Sequence, residues 1–252
     1  MTEWGGVGAA YEASYASLCA ETGDDLSAAF GRAGGRSLLD VGAGTGRLAA
    51  RLATDGWQVT ACEPEASMRE IVAREHPRLR VVDGGLPELP FGDDAFDVVT
   101  ANFVLNHVDD PRRCAGELAR VARHAVAATI WSRSPSWFWA DVRDRAVIDV
   151  PAPEQLPPEK DFVRTADGFG VMLTEGGWAS VDVHEKTWTW WVDPAALWLS
   201  AEGGVAGAGR LYRGLDAAER HRFRAAFDTL CAELVVDGLV PLEHTAAIAV
   251  GR

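Results

Sequence analysis

Residues Leu38 to Gly46 read LLDVGAGTG, an apolar strand followed by a turn with three alternating glycines. The glycines are Gly42, Gly44 and Gly46. Glycine lacks a Cβ and tolerates positive φ, so a strand-to-helix turn of this kind brings bare backbone against a ligand. A dinucleotide fingerprint would need glycine where Arg47 stands, and a P-loop would need a following Gly-Lys-Ser/Thr. The turn therefore predicts a small-molecule site of another kind.

A second motif follows one helix and one strand later. The stretch Trp57 to Glu65, WQVTACEPE, alternates like a strand and contains Glu63, which lies 17 residues after Gly46. A carboxylate at the tip of the second strand of a βαβ unit lies beside the first turn and can bind both hydroxyls of a ribose. We therefore predict that Glu63 is a ribose ligand.

Strand-like and helix-like segments alternate along the first half of the chain. The predicted strands are 37–41, 57–62, 79–82, 97–101 and 125–131, and the predicted helices between them are 46–55, 66–75 and 110–123. This alternation predicts an α/β fold with a parallel, doubly wound sheet and right-handed crossovers. Residues 180–192 and 243–250 alternate as two further, antiparallel strands, which would close a seven-stranded, mostly parallel sheet. Helical spacing also continues over 7–33, a helix with a glycine-rich turn is expected at 194–215 and an amphipathic helix at 217–235, and the proline-rich segment 132–160 is expected to be connector and cap.

At this point the chain resembles the class I S-adenosylmethionine-dependent methyltransferases. The resemblance is carried by Asp40, the three glycines, Glu63 and the block LPELPFGDDAFDVVTANFVLNHV from Leu86 to Val108, and it covers roughly residues 36 to 131. The LPF turn before the fourth strand and the Asn-His pair after it are similar to the small-molecule, type 11-like branch of that family. The resemblance implies a Rossmann-like fold and S-adenosyl-L-methionine as the cofactor, but it leaves the substrate open.

The resemblance also implies a set of cofactor ligands and a division of the chain. The predicted cofactor-binding residues are Asp40, Gly42, Ala43, Gly44, Gly46, Glu63, Pro64, Leu86, Asn102, Tyr11 and Tyr15. We expect an N-terminal helical lid at 1–35, a cofactor-binding core at 36–131, and cap insertions plus closing strands of the same domain at 132–252. The chain departs from the family at Gly85, where relatives usually have an aspartate for the adenine amino group, and the nearest acid is Asp83.

Histidine is the side chain most suited to accept a proton near neutral pH. His107 follows the fourth strand in ANFVLNHV, so it would lie near the donor methyl group. It is the predicted catalytic residue, and a structural histidine packed under the cofactor is the alternative. His184, Glu185 and His244 lie on the closing strands, whose distance from the pocket the sequence does not fix.

The tryptophans are concentrated in the second half of the chain. Eight of the ten lie from Trp131 onward, in the part that the family leaves variable. They predict either an aromatic lining for a bulky apolar or planar acceptor, or ordinary packing between cap and sheet. Trp188 and Trp190 share one strand face while Trp191 points to the other, so the three cannot line one pocket.

Composition limits the partners. The 252 residues carry 24 Lys plus Arg against 37 Asp plus Glu, a formal charge of −13. This charge argues against nucleic acid or an anionic membrane as the main partner. The four cysteines are scattered, so neither a disulfide framework nor a zinc site is predicted. Because no long apolar run or signal-like start appears, we expect a cytoplasmic protein. Abundant Ala, Gly and Arg with only two Lys are typical of a high-GC bacterial genome.

Together these features predict methyl transfer to a small-molecule acceptor by in-line displacement, with a bulky apolar or aromatic specialised metabolite as the suggested acceptor and no metal. Two other classes stay open. An S-adenosylmethionine-binding protein without methyl transfer would share every cofactor motif, and an NAD-linked reductase would share the βαβ unit and its strand-end acid. The oligomeric state cannot be read from the chain.

Overall fold

The computed structural model describes residues 4–149 and 156–252. The strands in these residues are β1 (Ser37–Val41), β2 (Gln58–Cys62), β3 (Arg80–Val82), β4 (Phe96–Asn102), β5 (Ala122–Arg133), β6 (Asp182–Val192) and β7 (Val240–Gly251). They form one sheet in the order β3-β2-β1-β4-β5-β7-β6. The first five strands pair in parallel, and β7 pairs antiparallel with both β5 and β6. The predicted doubly wound, seven-stranded, mostly parallel sheet is therefore confirmed.

Helices cover the sheet and build a cap at one end. They are α1 (Gly8–Ala13), α2 (Ala16–Ala20), α3 (Gly23–Phe30), α4 (Arg47–Thr54), α5 (Ala66–Glu75), α6 (Pro111–Val121), α7 (Ser136–Arg145), α8 (Ala166–Glu175), α9 (Pro194–Glu202), α10 (Ala206–Gly214) and α11 (Ala217–Leu234). None of the helices in the described ranges is long and apolar enough to cross a membrane.

Local sequence explains where several helices begin. The Asp110 side chain accepts a hydrogen bond from the backbone N–H of Arg113, and Pro111 takes the first position of α6. Asp216 and Glu219 form a reciprocal capping box at the start of α11. These caps satisfy N–H groups that would otherwise have no partner at the helix end.

The core lies on both faces of the sheet. Central strands are buried on both sides, as the apolar residues of β1 show: Leu38, Leu39 and Val41 are fully buried. On one face β1 packs against α4, whose buried residues Leu48, Ala49 and Leu52 form a single stripe. The cap has a core of its own, built mainly from α7, α9, α11 and the cap ends of β6 and β7.

The structure corrects several predicted boundaries. The helical region predicted at 7–33 consists of α1, α2 and α3, and the helix predicted within 194–215 is two helices, α9 and α10. The segment predicted as connector and cap, 132–160, contains α7, while its residues 150–155 lie outside the described residues. The helix α8 was not predicted at all.

Candidate active site

The glycine turn after β1 has the backbone conformation that the sequence predicts. Gly42, Gly44 and Gly46 have φ values of 66°, 56° and 85°. A side chain at Gly42 would also collide, because a Cβ there would lie 2.5 Å from Cγ2 of Val104. Gly46 is the N-cap of α4, so the turn leads directly into a helix N-terminus. Bare backbone at this edge of the sheet is therefore required on steric as well as conformational grounds.

Glu63 connects the two motifs. It follows β2, is 5% exposed, and its Oε2 accepts a hydrogen bond of 2.8 Å from the N–H of Gly44. Its Oε1 accepts a second one, of 3.0 Å, from the N–H of Glu65. Burial raises the pKa of Glu63 to about 7, although both backbone hydrogen bonds oppose the shift. The carboxylate thus fixes the glycine turn and retains lone pairs for a further donor.

Asp40 is the most unusual polar group near the turn. It is 1% exposed, and neither carboxylate oxygen has a hydrogen-bond partner among the described residues. Burial raises the pKa of Asp40 to about 8, and the negative charge of Glu63 adds to the shift. Since buried polar atoms are normally paired, this carboxyl group is a strong indication of a ligand that supplies donors or positive charge.

A small cavity lies between the glycine turn and the N-terminal helices. Its volume is about 30 Å³, room for about two water molecules. The lining residues are Tyr11, Ala16, Cys19, Ala20, Asp40, Gly42, Ala43, Thr45, Arg47, Leu48 and Asn102. Five of the predicted cofactor ligands are among them: Tyr11, Asp40, Gly42, Ala43 and Asn102.

The N-terminal segment covers the turn. A Cβ on Gly44 would lie 3.4 Å from the ring of Tyr11, so this ring rests directly on the glycine backbone. Upstream, the N–H of Gly8 donates to Oγ of Ser67 at the start of α5. The Trp4 ring contacts Tyr11 edge-on, with ring centroids 6.0 Å apart. A ligand larger than the cavity must therefore displace part of this segment.

Asn102 lines the cavity, but its side chain is already occupied. Its Oδ1 accepts hydrogen bonds from the hydroxyls of Thr22 (2.8 Å) and Thr129 (2.6 Å). Its Nδ2 donates to the carbonyl of Cys19, at 2.8 Å. Asn102 therefore joins the end of β4 to the N-terminal helices, and the predicted cofactor contact at this residue remains a prediction.

The two predicted tyrosines lie in different places. Tyr11 lies on the glycine turn, whereas the hydroxyl of Tyr15 accepts a hydrogen bond of 3.1 Å from Nε1 of Trp139 in the cap. The Tyr15 ring also contacts Trp190 on β6. Burial raises the pKa of both tyrosines, so both hydroxyls are neutral at physiological pH. Tyr15 thus belongs to the boundary between lid and cap.

The predicted base, His107, lies on the loop between β4 and α6. Its side chain is exposed, and its ring meets Trp4 edge-on with centroids 5.2 Å apart. His107 therefore borders the covering N-terminal segment.

The region predicted for adenine is compact. A Cβ on Gly85 would lie 3.1 Å from the Pro64 ring, so a side chain at this position would have to push Pro64 aside. Leu86 is 5% exposed. Asp83 accepts a hydrogen bond of 3.1 Å from Arg69, and its side chain is 71% exposed.

A cluster of aromatic rings lies between the cavity and the cap, and we call it the aromatic cluster. It consists of Phe103, Trp131, Trp188, Trp190 and His244. Phe103 directly follows the cavity residue Asn102 and stacks on Trp131, with centroids 3.8 Å apart and planes within 8°. Trp188 and Trp190 both contact His244, whereas Trp191 is 51% exposed, as their alternation on β6 predicts.

His244 could not be placed from the sequence, because its neighbours come from β5 and β6, more than 50 residues away. Trp188 and His244 are direct cross-strand partners. Arg47 and Cys19, which line the cavity, were not among the predicted ligands. For Arg47 the signal was its position directly after the last glycine of the turn, and for Cys19 there was none.

The geometry agrees with the comparisons to known proteins. A family model described as a methyltransferase domain matches residues 39–127. A demethylmenaquinone methyltransferase of Clavibacter sepedonicus is 35% identical over 200 residues, covering 74% of this chain and 76% of the relative. The chain belongs to the class I S-adenosylmethionine-dependent methyltransferases. A relative of the same name from Renibacterium salmoninarum is 35% identical over 95 residues, 38% of this chain and 40% of the relative.

Solved structures support the fold of the methyltransferase independently. The YcgJ protein from Bacillus subtilis aligns with a TM-score of 0.54 at 20% identity, covering 91% of this chain and 96% of that one. At this identity the likeness concerns the fold alone. The family assignment supports a methyltransferase over the reductase that the sequence left open.

The cofactor is S-adenosylmethionine, and the residues present fit it. The glycine turn offers backbone that no side chain could replace, Glu63 has lone pairs for a ribose, and the unpartnered Asp40 is placed for a positively charged group. The cavity of about 30 Å³ is much smaller than the cofactor, and Tyr11 lines it.

Proposed function

We propose that this methyltransferase transfers the methyl group to a planar, apolar acceptor of the quinone or hydroquinone class. The observation that carries the proposal is the aromatic cluster, whose Phe103–Trp131 stack begins one residue after the cavity residue Asn102. Flat apolar rings are bound by aromatic side chains through stacking and burial. The relatives named demethylmenaquinone methyltransferase support the same class.

The chemistry requires little acid–base assistance from the protein. The sulfonium of the cofactor supplies an activated methyl group. The glycine backbone, Glu63 and Asp40 hold the cofactor in one orientation, and the Tyr11 segment excludes water. Such orientation contributes roughly 7–11 kcal/mol to lowering a barrier. We further propose that His107 accepts a proton at this edge of the sheet, and that Pro64 and Leu86 contact the adenine.

The test is a methyl-transfer assay with a 1,4-naphthohydroquinone that carries a short prenyl chain and one free ring position. It is run without oxygen, with methyl-labelled cofactor, and the product is read by mass spectrometry. We expect label on the naphthohydroquinone and none on the matched compound whose free position is already methylated. Binding of S-adenosylhomocysteine without any labelled product would contradict the proposed acceptor class.

We also propose a cytoplasmic location and no nucleic-acid partner, supported by the formal charge of −13. A mobility-shift experiment with double-stranded DNA and RNA at low salt tests the second point. A shift at micromolar protein would contradict it.

A further inference from the structure

We propose that Trp188 and His244 together bind one hydroxyl group of the acceptor: the indole N–H donates to the hydroxyl oxygen, and the imidazole Nε2 accepts the hydroxyl hydrogen. The inference rests on the proposed function, because it specifies how the same acceptor is recognised. It assigns the two residues a role in specificity for phenolic, reduced rings.

Trp188 supplies the donor. Its Nε1 is buried and has no hydrogen-bond partner among the described residues. A tryptophan N–H can only donate, and a buried donor normally finds an acceptor. Trp139 and Trp178 follow this rule, since their Nε1 atoms donate to Tyr15 and to the carbonyl of Ala115. The Nε1 of Trp57 is also unpartnered, but Trp57 lies at the amino end of β2, away from the edge of the sheet that carries the cavity. At Trp188, which packs on Trp131 and His244, we take the unpartnered donor as a site for an acceptor atom of the ligand.

His244 supplies the acceptor. Its Nδ1 lies 3.0 Å from the carbonyl oxygen of Leu242. A carbonyl can only accept, so Nδ1 carries the hydrogen and donates. Burial lowers the pKa of His244, which keeps the ring neutral and leaves Nε2 as a bare acceptor. Within the described part of the chain no hydrogen bond reaches Nε2.

The two rings are arranged to share one group. Trp188 and His244 are direct partners on β6 and β7, with ring centroids 6.2 Å apart and planes within 26°. One oxygen can bridge two nitrogens when each N···O distance is about 2.9 Å. A hydroxyl both accepts and donates, so it satisfies both ring atoms at once, whereas a quinone carbonyl or a methyl ether satisfies only the indole.

The flat faces around this pair suit a ring. Trp131 lies 5.6 Å from Trp188 and 5.2 Å from His244, measured between centroids, and it links them to Phe103 beside the cavity. A hydroquinone held by its hydroxyl at Trp188 and His244 would therefore have its ring beside Trp131, between the cap and the cofactor edge. Lys186 lies on the same face of β6, with its ammonium 5.9 Å from the centroid of the Trp188 ring, and it forms an ion pair with Asp25.

The test compares two probes, 1,4-naphthohydroquinone and 1,4-dimethoxynaphthalene, which have the same rings but differ in their hydroxyl hydrogens. Binding to the protein loaded with S-adenosylhomocysteine is measured by calorimetry without oxygen. The variants are Trp188→Phe and His244→Gln. Trp191→Phe is the matched control, because Trp191 lies on the same strand with its side chain 51% exposed.

We expect the wild type and Trp191→Phe to bind the hydroquinone with a dissociation constant about tenfold or more below that of the ether, because the ether leaves the buried Nε2 of His244 without a donor. Trp188→Phe and His244→Gln should each lose most of this preference by weakening the hydroquinone alone. If His244→Gln fails to fold, the result for Trp188→Phe alone tests the inference, because phenylalanine removes the indole N–H but keeps an aromatic ring in the core.

The outcomes separate the two proposals. Wild-type preference that persists in both variants would overturn the roles of Trp188 and His244 while the acceptor class stands. Equal affinity of the wild type for both probes would likewise overturn the roles of Trp188 and His244 and leave the acceptor class standing. If the wild type binds S-adenosylhomocysteine but neither probe, the acceptor class and this inference both fail.

Discussion

The carboxylate of Glu63 decides whether the glycine turn is held for the cofactor. In Glu63→Gln we expect the dissociation constant for S-adenosylmethionine to rise by about tenfold or more, because hydrogen bonds to a charged group contribute roughly 1.5–3 kcal/mol. Calorimetry measures the change. Glu75→Gln is the control, since Glu75 lies at the exposed end of α5, where it pairs with the neighbouring Arg74. Unchanged affinity in Glu63→Gln would mean that Glu63 is not a cofactor ligand.

Asp40 predicts a pH dependence of stability. Burial raises its pKa from 3.8 to about 8, so between these values the folded protein holds a proton that the unfolded chain has released. The stability that this group contributes is present below pH 4 and is lost as the pH rises toward 8. Asn cannot ionise, so the stability of Asp40→Asn relative to the wild type should increase as the pH rises.

The measurement is thermal unfolding of both proteins without cofactor. The melting temperature of Asp40→Asn minus that of the wild type should grow by about 3 °C or more between pH 5 and pH 8. Glu63, with a pKa of about 7, titrates in both proteins and largely cancels in the difference. A difference that stays constant across this range would show that Asp40 is ionised in the folded state.

For single residues, the local motifs were predicted from the sequence, whereas hydrogen-bond partners that are distant in the chain were not. The glycine turn and Glu63 lie side by side because the βαβ unit fixes their relative position, and the N–H of Gly44 donates a hydrogen bond to Glu63. Asn102 was predicted as a cofactor contact, which remains a prediction, but its hydrogen bonds with Thr22 and Cys19, in a helical region about 80 residues earlier, were not predicted. No periodicity in one sequence reveals such a pairing.

For the secondary-structure elements, the boundaries of amphipathic helices and of strands between turns were predicted to within a few residues. The N-terminal region was predicted to be helical, but its apolar spacing did not show where the chain turns between α1, α2 and α3. The helix α8 was missed because its sequence, ADGFGVMLTE, contains two glycines, which are poor helix formers. Its buried Phe169, Met172 and Leu173 provide the packing that overrides this propensity.

The docking of α1 on α5 determines how tightly the site is covered. A Cβ on Gly8 would lie 2.8 Å from Oγ and 2.9 Å from the backbone oxygen of Ser67, so Gly8→Val should push α1 away. We expect amide hydrogens of residues 8–13 to exchange at least about tenfold faster, since local opening needs less free energy. Hydrogen exchange with mass spectrometry measures this.

Ala13→Ser is the control for this experiment, because Ala13 is exposed on the same helix. The exchange of β1 and β4 should be the same in all three proteins, which would show that the sheet is intact. Equal protection of α1 in Gly8→Val and wild type would contradict the idea that close contact with α5 holds the lid.

On the scale of the whole molecule, one sheet brings together parts that are distant in the chain. The parallel strands β1, β2 and β4 carry the predicted cofactor residues at their carboxyl ends. β7, which runs antiparallel to β5 and β6, joins β6 to the same sheet and extends it into the cap, so that only β7 of the two closing strands is antiparallel to the rest. The sequence predicted this order of elements, but the acceptor site could not be predicted, because it depends on how cap helices and strand ends pack together. The aromatic cluster exists only in the assembled sheet.

The net charge of −13 makes a further prediction for the whole molecule. A chain of this length has a radius of gyration of about 18 Å, and at 20 mM salt the Debye length is of similar size, about 20 Å, so repulsion acts across the protein. Raising NaCl from 20 to 200 mM should therefore raise the melting temperature by a few degrees, which corresponds to roughly 1 kcal/mol in the free energy of unfolding.

Glu70→Lys separates this repulsion from local ion pairing. Glu70 is exposed on α5 and has no ion pair among the described residues, so the substitution changes the net charge from −13 to −11 without breaking a contact. It should raise the melting temperature at 20 mM NaCl, Glu70→Gln should give about half of that gain, and both gains should shrink at 200 mM. If salt instead lowers the melting temperature of the wild type, surface pairs such as Arg145 with Glu233 outweigh the net charge. Thermal unfolding of the three proteins at both salt concentrations decides between these two origins of the salt effect.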